Sequence, residues 1–266
     1  MGKRAAVGSL IAIGLAVVPD PAFAGAWTLD EGTGQLLVSG TAMQSSKAFN
    51  TGSVLQPIPR YGKEEAQALV EYGVNNWFTA MFQPSLQHVD IGPPIGAERG
   101  GLGYTDIGGR ARIWSDESWV VSAQATFRIP GTSDNANPAA IGYTDREAEI
   151  RGLVGYGFKV GALPSFVDVE VAQRFRLGGP PDEFHTDATF GIRPSDRWLL
   201  LAQSFSVISE GAGTWGFGSY SYHKFQLSAV YALTPSLSVQ IGGYSTYWGR
   251  NALQENGLVI GAGFRF

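Results

Sequence analysis

Apolar and polar residues alternate with a period of two through most of the chain, in runs of about ten residues. In an extended strand this period places apolar side chains on one face and polar side chains on the other. The runs predict twelve β-strands, near Gln35–Ser45, Glu65–Val74, Trp77–Gln87, Tyr104–Trp114, Trp119–Ile129, Arg146–Phe158, Ser165–Leu177, Phe184–Arg193, Trp198–Ile208, Tyr222–Leu233, Leu237–Trp248 and Gly257–Phe266. An alternative with ten strands stays open, because the first two runs are the least regular.

Short connections between the runs alternate with connections that are mostly longer. This alternation predicts on which side of the membrane each connection lies. The short turns are Asn75–Asn76, Ser115–Ser118, Lys159–Pro164, Pro194–Arg197 and Thr234–Ser236. Five such turns and six longer loops are what twelve strands need when both chain ends lie on one side, as in bacterial outer-membrane barrels. We therefore predict an all-β fold, a transmembrane antiparallel up-and-down β-barrel of about 12 strands.

Aromatic residues mark the ends of the predicted strands. Trp77, Trp114, Trp119 and Trp198 all adjoin short turns, so we expect them at one membrane interface as an aromatic girdle. The last run alternates to the end of the chain and closes on Phe266. A terminal Phe on an amphipathic strand resembles the signal by which the barrel assembly machinery recognises outer-membrane barrels.

The first residues predict export. Lys3 and Arg4 precede an apolar run from Ala5 to Val18, and Ala22-Phe23-Ala24 offers small residues at the positions that signal peptidase reads. The run is shorter than the roughly 20 apolar residues of a spanning helix. We expect a signal peptide over residues 1–24, cleavage after Ala24, and a barrel over 25–266 in the outer membrane of a Gram-negative bacterium. Its partners would be outer-membrane lipid and lipopolysaccharide.

Composition narrows the class of protein further. Charged residues make up 16% of the chain, against about 25% in ordinary soluble domains. Without the leader, 17 basic and 22 acidic side chains give a net charge of −5, which argues against a nucleic-acid partner. There is no cysteine, and neither an HExxH motif nor an acidic calcium loop occurs. We predict no cofactor and no metal.

Polar residues on the inward face of the predicted strands are the candidates for lumen lining or ligand binding: Arg110, Arg128, Glu147, Glu149, Arg174, Arg176, His185 and Asp187. Folding each hairpin about its connection predicts their partners across the strands. The pairs are Glu149 with Arg174, Glu147 with Arg176, Arg174 with Asp187, Arg176 with His185, Asp106 with Arg128, and Arg110 with Gln124. Two interpretations stay open, a polar constriction or ligand site on strands six to eight, and a charge ladder that stiffens the wall.

Catalysis on a barrel rim would need a serine, a histidine and an orienting Asn or Asp close together. Folding the ninth and tenth strands sets His223 opposite Val207 and beside Ser206, with the Ser206 and His223 side chains on different faces. No carboxylate is expected to orient the imidazole. We therefore do not predict an enzyme, and a rim hydrolase stays an alternative.

The segment from Gly101 to Trp114, GLGYTDIGGRARIW, resembles the GLGD-x-x-LG-x-R-x-R-x-W stretch of a family of outer-membrane proteins. That family is described as transporters of the meta-pathway of phenol degradation. The similarity extends to LVEYGVNNWF at Leu69–Phe78, and it departs at Tyr104, where the family often has Asp. The resemblance implies passage of small aromatic or hydrophobic solutes. A channel or transporter for such solutes is the leading hypothesis, and a structural or adhesive barrel that displays its loops is an alternative.

Overall fold

The computed structural model describes residues 25–131, 137–140, 145–214 and 216–266, so the predicted leader lies outside the described residues. The strands are β1 Gly34–Phe49, β2 Leu55–Asn75, β3 Phe78–Ile91, β4 Ala97–Ser115, β5 Trp119–Ile129, β6 Glu147–Val160, β7 Leu163–Arg176, β8 Glu183–Ser195, β9 Trp198–Ser209, β10 Ser221–Ala232, β11 Leu237–Arg250, β12 Ala252–Leu253 and β13 Asn256–Arg265. Within the described ranges, one 3-10 turn, Pro138–Ala140, lies between β5 and β6. Among the described residues, no helix is long and apolar enough to cross a bilayer.

The long strands form a closed antiparallel barrel. Each strand pairs with its neighbours along the chain, and β1 closes the circle by pairing with β2 on one edge and β13 on the other. The closing ladder runs from Gln35 opposite Arg265 to Gln44 opposite Asn256. With the two-residue β12 set aside as a short addition to β1, the prediction of twelve strands is confirmed.

Alternation gives the wall two chemically different faces. On β6, Glu149 is 5% exposed whereas Ile150, the next residue, is 61% exposed. The same difference in exposure between neighbouring residues recurs on β13, where Val259 is 8% exposed and Ile260 is 60% exposed. A wall with large apolar side chains on its outer face is the pattern of barrels that cross a membrane.

Several strands are longer than predicted, and β2 and β4 differ most from their predicted ranges. β2 begins at Leu55 and β4 at Ala97, where the Gly/Pro-rich sequence predicts loops. Pro57 pairs with Lys47 of β1, but pairing of β2 with β3 begins only at Tyr61. A proline has no N–H for a second ladder, so it fits a segment with one unpaired edge.

The start of β1 and the C-terminal residue lie together at the short-turn end of the barrel. The N–H of Phe266 donates to the Gly34 carbonyl at 2.9 Å, and Gly34 returns the bond at 2.7 Å. The residues before β1, Gly25–Thr33, do not join the sheet. Ala26 is fully buried and contacts Val120 and Leu153, which lie on β5 and β6. The segment therefore enters the lumen.

Candidate functional site

Arginines and carboxylates of strands β4 to β8 form a continuous ion-pair network, which we call the charged wall. Glu149 lies opposite Arg174 and Glu147 opposite Arg176, as predicted. Arg174 Nη2 is 2.6 Å from Glu149 Oε2, and Arg176 Nε is 2.9 Å from Glu147 Oε1. The short Lys159–Pro164 connection fixes this register, because a tight turn leaves the two strands little freedom to slip.

The hairpin of β4 and β5 also has the predicted register. Asp106 pairs with Arg128, with Arg128 Nε 2.8 Å from Asp106 Oδ1, and Arg110 Nε donates to Gln124 Oε1 at 3.1 Å. Arg128 reaches a second strand as well, since its Nη1 is 3.2 Å from Glu147 Oε2. Arg128 therefore joins β4 and β5 to the rest of the charged wall.

The predicted register of β7 and β8 is wrong. Arg174 lies opposite Glu183 rather than near Asp187, and the residue opposite His185 is Ala172 rather than Arg176. The connection turns earlier than its two prolines indicate, because the Gly178 N–H donates to the Arg176 carbonyl at 2.8 Å. A Cβ atom at Gly178 would collide with the Asp145 carboxylate, so glycine fits this close turn, and the ladder of β8 is displaced with it.

The displaced register brings in two residues that the candidate set lacks, Arg151 and Glu183. Arg151 contacts three carboxylates: Glu149 at 2.9 Å, Glu170 at 2.5 Å and Asp187 at 2.7 Å. Arg151 lies on the same face as Glu149, so alternation alone could have found it. Glu183 falls in a predicted loop, and the sequence pattern gives no sign of its place in the network.

Glu183 joins the charged wall to a loop. It contacts Arg174 at 3.5 Å and Arg176 at 3.4 Å, and it accepts a hydrogen bond from the Tyr220 hydroxyl. His185 Nε2 is 2.8 Å from the same carboxylate. Burial and the Glu183 charge raise the pKa of Tyr220 well above its ordinary value, so the hydroxyl remains a donor.

The charged wall carries more negative than positive charge. Its ion pairs join four arginines to six carboxylates, namely Arg128, Arg151, Arg174 and Arg176 to Asp106, Glu147, Glu149, Glu170, Glu183 and Asp187, and Arg110 of β4 adds a separate ion pair with Glu71 of β2. With every group ionised, the network has an excess of two negative charges.

A cavity of about 210 Å³ borders the charged wall inside the lumen. Guanidinium, carboxylate and amide groups supply most of its lining, and Leu69 and Met81 add an apolar side. The cavity can therefore contact a polar group and an apolar surface of one small molecule.

The N-terminal segment Gly25–Thr33 packs beside this cavity. Arg110 Nη1 donates to the Trp27 carbonyl at 3.0 Å, and Leu29 N donates to Thr79 Oγ1 at 2.8 Å. The Trp27 ring meets Phe166 edge-on, with 5.8 Å between ring centroids, and packs on a cluster that includes Leu199. The alternation of apolar and polar residues does not predict this segment, which narrows the lumen toward the short-turn end.

The four tryptophans of the predicted girdle all adjoin short turns and are exposed on the barrel, at 56% for Trp77, 52% for Trp114, 43% for Trp119 and 44% for Trp198. Two of them pack against tyrosines with tilted rings: Trp119 against Tyr156 and Trp198 against Tyr231, with centroids 4.3 Å and 4.8 Å apart. Their contact with a membrane interface stays a prediction.

The predicted register of His223 is wrong by one residue. His223 lies directly opposite Ser206, not Val207, and its Nδ1 is 2.7 Å from Ser206 Oγ. Both side chains lie on the face that carries Phe225, away from the lumen, and Trp248 packs against the imidazole at 5.1 Å. Within the described ranges, no carboxylate forms an ion pair with His223, so the pair has no orienting third member.

No protein-family model and no curated protein matches the chain. Solved structures share its fold. An outer membrane channel from Pseudomonas putida F1 superimposes with a TM-score of 0.76 at 12% identity, over 91% of this chain and 98% of that chain. The NanC porin gives 0.54 at 11% identity over 86% and 98% of the two chains. The KdgM porin, in complex with disordered oligogalacturonate, gives 0.53 at 8% identity over 87% and 99%.

Proposed function

We propose that the chain is an outer-membrane channel that passes small solutes through the barrel lumen. The observation that carries this proposal is the charged wall inside a barrel whose outer face is apolar, as the contrast between Glu149 and Ile150 illustrates. A polar interior within an apolar belt is what a channel across the outer membrane needs. The fold shared with an outer membrane channel and two porins supports the same role.

The proposal includes how the barrel reaches its membrane. Residues 1–24 would direct export and be removed, and the C-terminal strand that ends at Phe266 would be recognised by the barrel assembly machinery. The outer face would then contact lipid and lipopolysaccharide, with Trp77 and the other three exposed tryptophans at the periplasmic interface.

For the solute we propose small aromatic molecules that carry a polar group. The cavity of about 210 Å³ is larger than the roughly 150 Å³ that suffices to hold benzene in a protein interior. Leu69 and Met81 would contact the ring, and Arg110 and Gln124, which also line the cavity, would contact the polar group. The resemblance of the segment that contains Arg110 and Arg112 to phenol-pathway transporters supports the same class.

Conductance tests the channel, and a matched pair of variants tests the solute. Purified protein in a planar bilayer should give discrete current steps, and phenol should reduce the current. Met81→Gln should weaken that block while the unblocked steps remain. Met43→Gln, on β1 away from the cavity, should leave the block unchanged. A silent bilayer, together with unchanged phenol uptake in a deletion strain, would favour the structural or adhesive barrel.

One observation favours a second candidate, a rim hydrolase. His223 and Ser206 form a hydrogen-bonded pair of the kind that activates a serine nucleophile. If the pair is catalytic, ester hydrolysis by the folded protein should disappear in both Ser206→Ala and His223→Ala, while heat-modifiable migration persists. Absence of hydrolysis in the wild-type protein would rule this candidate out.

A further inference from the structure

The first residues of the N-terminal segment meet two carboxylates of β7. Ala26 N donates to Asp168 Oδ2 at 2.9 Å, and both residues are at most 1% exposed. A Cβ atom placed on Gly25 would collide with the Glu170 carboxylate and lie 3.0 Å from Asp168 Oδ1. The Gly25 backbone is therefore in contact with both acidic side chains.

These two carboxylates have one ion-pair partner between them among the described residues, Arg151. In the described part of the chain, Asp168 forms no ion pair with an arginine or lysine. It accepts a hydrogen bond from the neutral Ala26 amide and forms a side-chain hydrogen bond with Glu170, and Arg110 is close enough to act on its charge. Glu170 has Arg151, but that guanidinium also serves Glu149 and Asp187. A buried carboxylate without a cation is costly, so the site calls for one more positive group.

We propose that Asp168 and Glu170 bind the α-ammonium group of Gly25, which comes into existence only when the leader is cleaved after Ala24. The nitrogen of Gly25 is about 1.5 Å from the Cα that touches both carboxylates, so an ammonium there lies within reach of them. Hydrolysis of the Ala24–Gly25 bond consumes one water and leaves a carboxylate on Ala24 and an ammonium on Gly25.

Cleavage thus converts a neutral amide into a cation at the place where the wall lacks one. The new ammonium group would help to hold the segment in the lumen. Two hydrogen bonds act with it: Ser122 Oγ donates to the Ala26 carbonyl at 2.6 Å, and Arg110 donates to the Trp27 carbonyl. A Cβ atom at position 25 would have to displace the Glu170 carboxylate, and glycine avoids this at the first mature residue. The inference rests on the proposed export.

The test uses protein purified from outer membranes in folded form. Its intact mass should correspond to residues 25–266. Acetic anhydride at neutral pH should then acylate the Gly25 amine roughly tenfold more slowly than in the Asp168→Asn/Glu170→Gln double variant, because the carboxylates keep the amine protonated and buried. The rate of acylation of Lys159, which is exposed near a short turn, serves as the internal reference.

A matched control and a second variant keep the test decisive. Asp187→Asn removes a carboxylate that contacts Arg151 but not Gly25, so acylation should stay slow. If the double variant does not fold, Gly25→Ala should speed acylation, since its methyl group displaces the terminus while both carboxylates remain.

Two results would overturn the proposal: a mature chain that starts at another residue, or acylation as fast in the wild type as in the variants. Conductance of the same preparation reports on the channel separately, so a failure of the ammonium site and a failure of the channel can be told apart.

Discussion

The lumen has two unlike walls at mid-height. On the charged wall, Arg151 alone contacts three carboxylates within 2.9 Å. Across the lumen, β9 to β11 present amides and hydroxyls, which we call the neutral wall: Gln226 Nε2 donates to Gln203 Oε1 and to Ser228 Oγ, both at 3.0 Å. Removing one partner of a buried ion pair costs about 3–5 kcal/mol, whereas a neutral hydrogen bond contributes about 1 kcal/mol.

This difference makes the distribution of charge across the lumen asymmetric. The ionised groups are concentrated on the charged wall, although β10 also carries Lys224, which pairs with Glu255. This uneven charge creates a field that orients a dipolar solute as it passes. The N-terminal segment lies against the charged wall too, through Arg110 and Asp168. We infer that the charged wall sets both orientation and constriction, and that the neutral wall mainly completes the polar lining.

The largest effect on stability should follow removal of the Arg151 guanidinium, which contacts three carboxylates. Arg151→Met leaves Glu170 and Asp187 without their cation, so the free energy of unfolding should fall by about 3–5 kcal/mol. Urea unfolding in detergent micelles, followed by tryptophan fluorescence, measures the change. On the neutral wall, Gln226→Met should cost only about 1 kcal/mol. Equal losses in the two variants would contradict the contrast between the walls.

Next in size is the loss of the ring that anchors the N-terminal segment. Trp27→Ala removes the contact with Phe166 and should destabilise the protein by about 2–3 kcal/mol, since Trp27 is only partly buried and truncation of a fully buried aromatic costs about 3–5 kcal/mol. Single-channel conductance should rise, because the segment no longer fills the lumen. Trp77→Ala, a change on the outer surface at the same end of the barrel, is the matched control and should leave conductance unchanged.

How far the sequence could predict this wall depended on the length of each connection. The β6–β7 hairpin has a tight turn, and its pairs of Glu147 with Arg176 and Glu149 with Arg174 follow from folding about it. The β7–β8 connection has four consecutive Gly and Pro residues and more than one way to reverse. Its actual geometry depends on the Arg176 N–H, which donates to Asp182 Oδ1 at 2.7 Å, a side-chain contact that hydrophobic periodicity does not encode.

The N-terminal segment could not be predicted for a different reason. Residues 25–33 show no strand period, and their position depends on contacts far away in sequence, such as that of Ala26 with Asp168, 142 residues later. The number of strands, by contrast, follows from local alternation repeated twelve times. An error in the bounds or register of one strand does not change this number. The fold was therefore predictable, whereas the narrowing of the lumen was not.

Ion selectivity should show a smaller effect than stability or conductance. The excess of negative charge on the charged wall predicts a weak preference for cations, of about twofold, because fixed charge raises the local concentration of counter-ions. Asp187→Asn should reduce the preference, and Gln240→Glu on the neutral wall should increase it. The reversal potential in a salt gradient measures both. An anion preference in the wild type would contradict the charge balance of the network.

The smallest effect should come from a carboxylate in a turn between two strands of the charged wall, outside the lumen. Asp116, in the turn between β4 and β5, accepts bonds from the N–H groups of Ser118 and Trp119, both at 2.8 Å. These bonds, that of Trp119 first, lower the pKa of Asp116 below its usual value. A lowered pKa means that the ionised form stabilises the fold above the ordinary carboxyl pKa of about 4, and that this contribution disappears as the pH falls through the lowered value.

Asp116→Ala should therefore be slightly less stable than the wild type at pH 7, and the difference should vanish in acid. Asp116→Asn keeps an acceptor oxygen without the charge, so its stability relative to Asp116→Ala should not depend on pH. Unfolding measured between pH 7 and the acid range tests both variants. A loss at Asp116 as large as that in Arg151→Met would mean that charge alone, and not its burial in the lumen, sets the energetics of the charged wall.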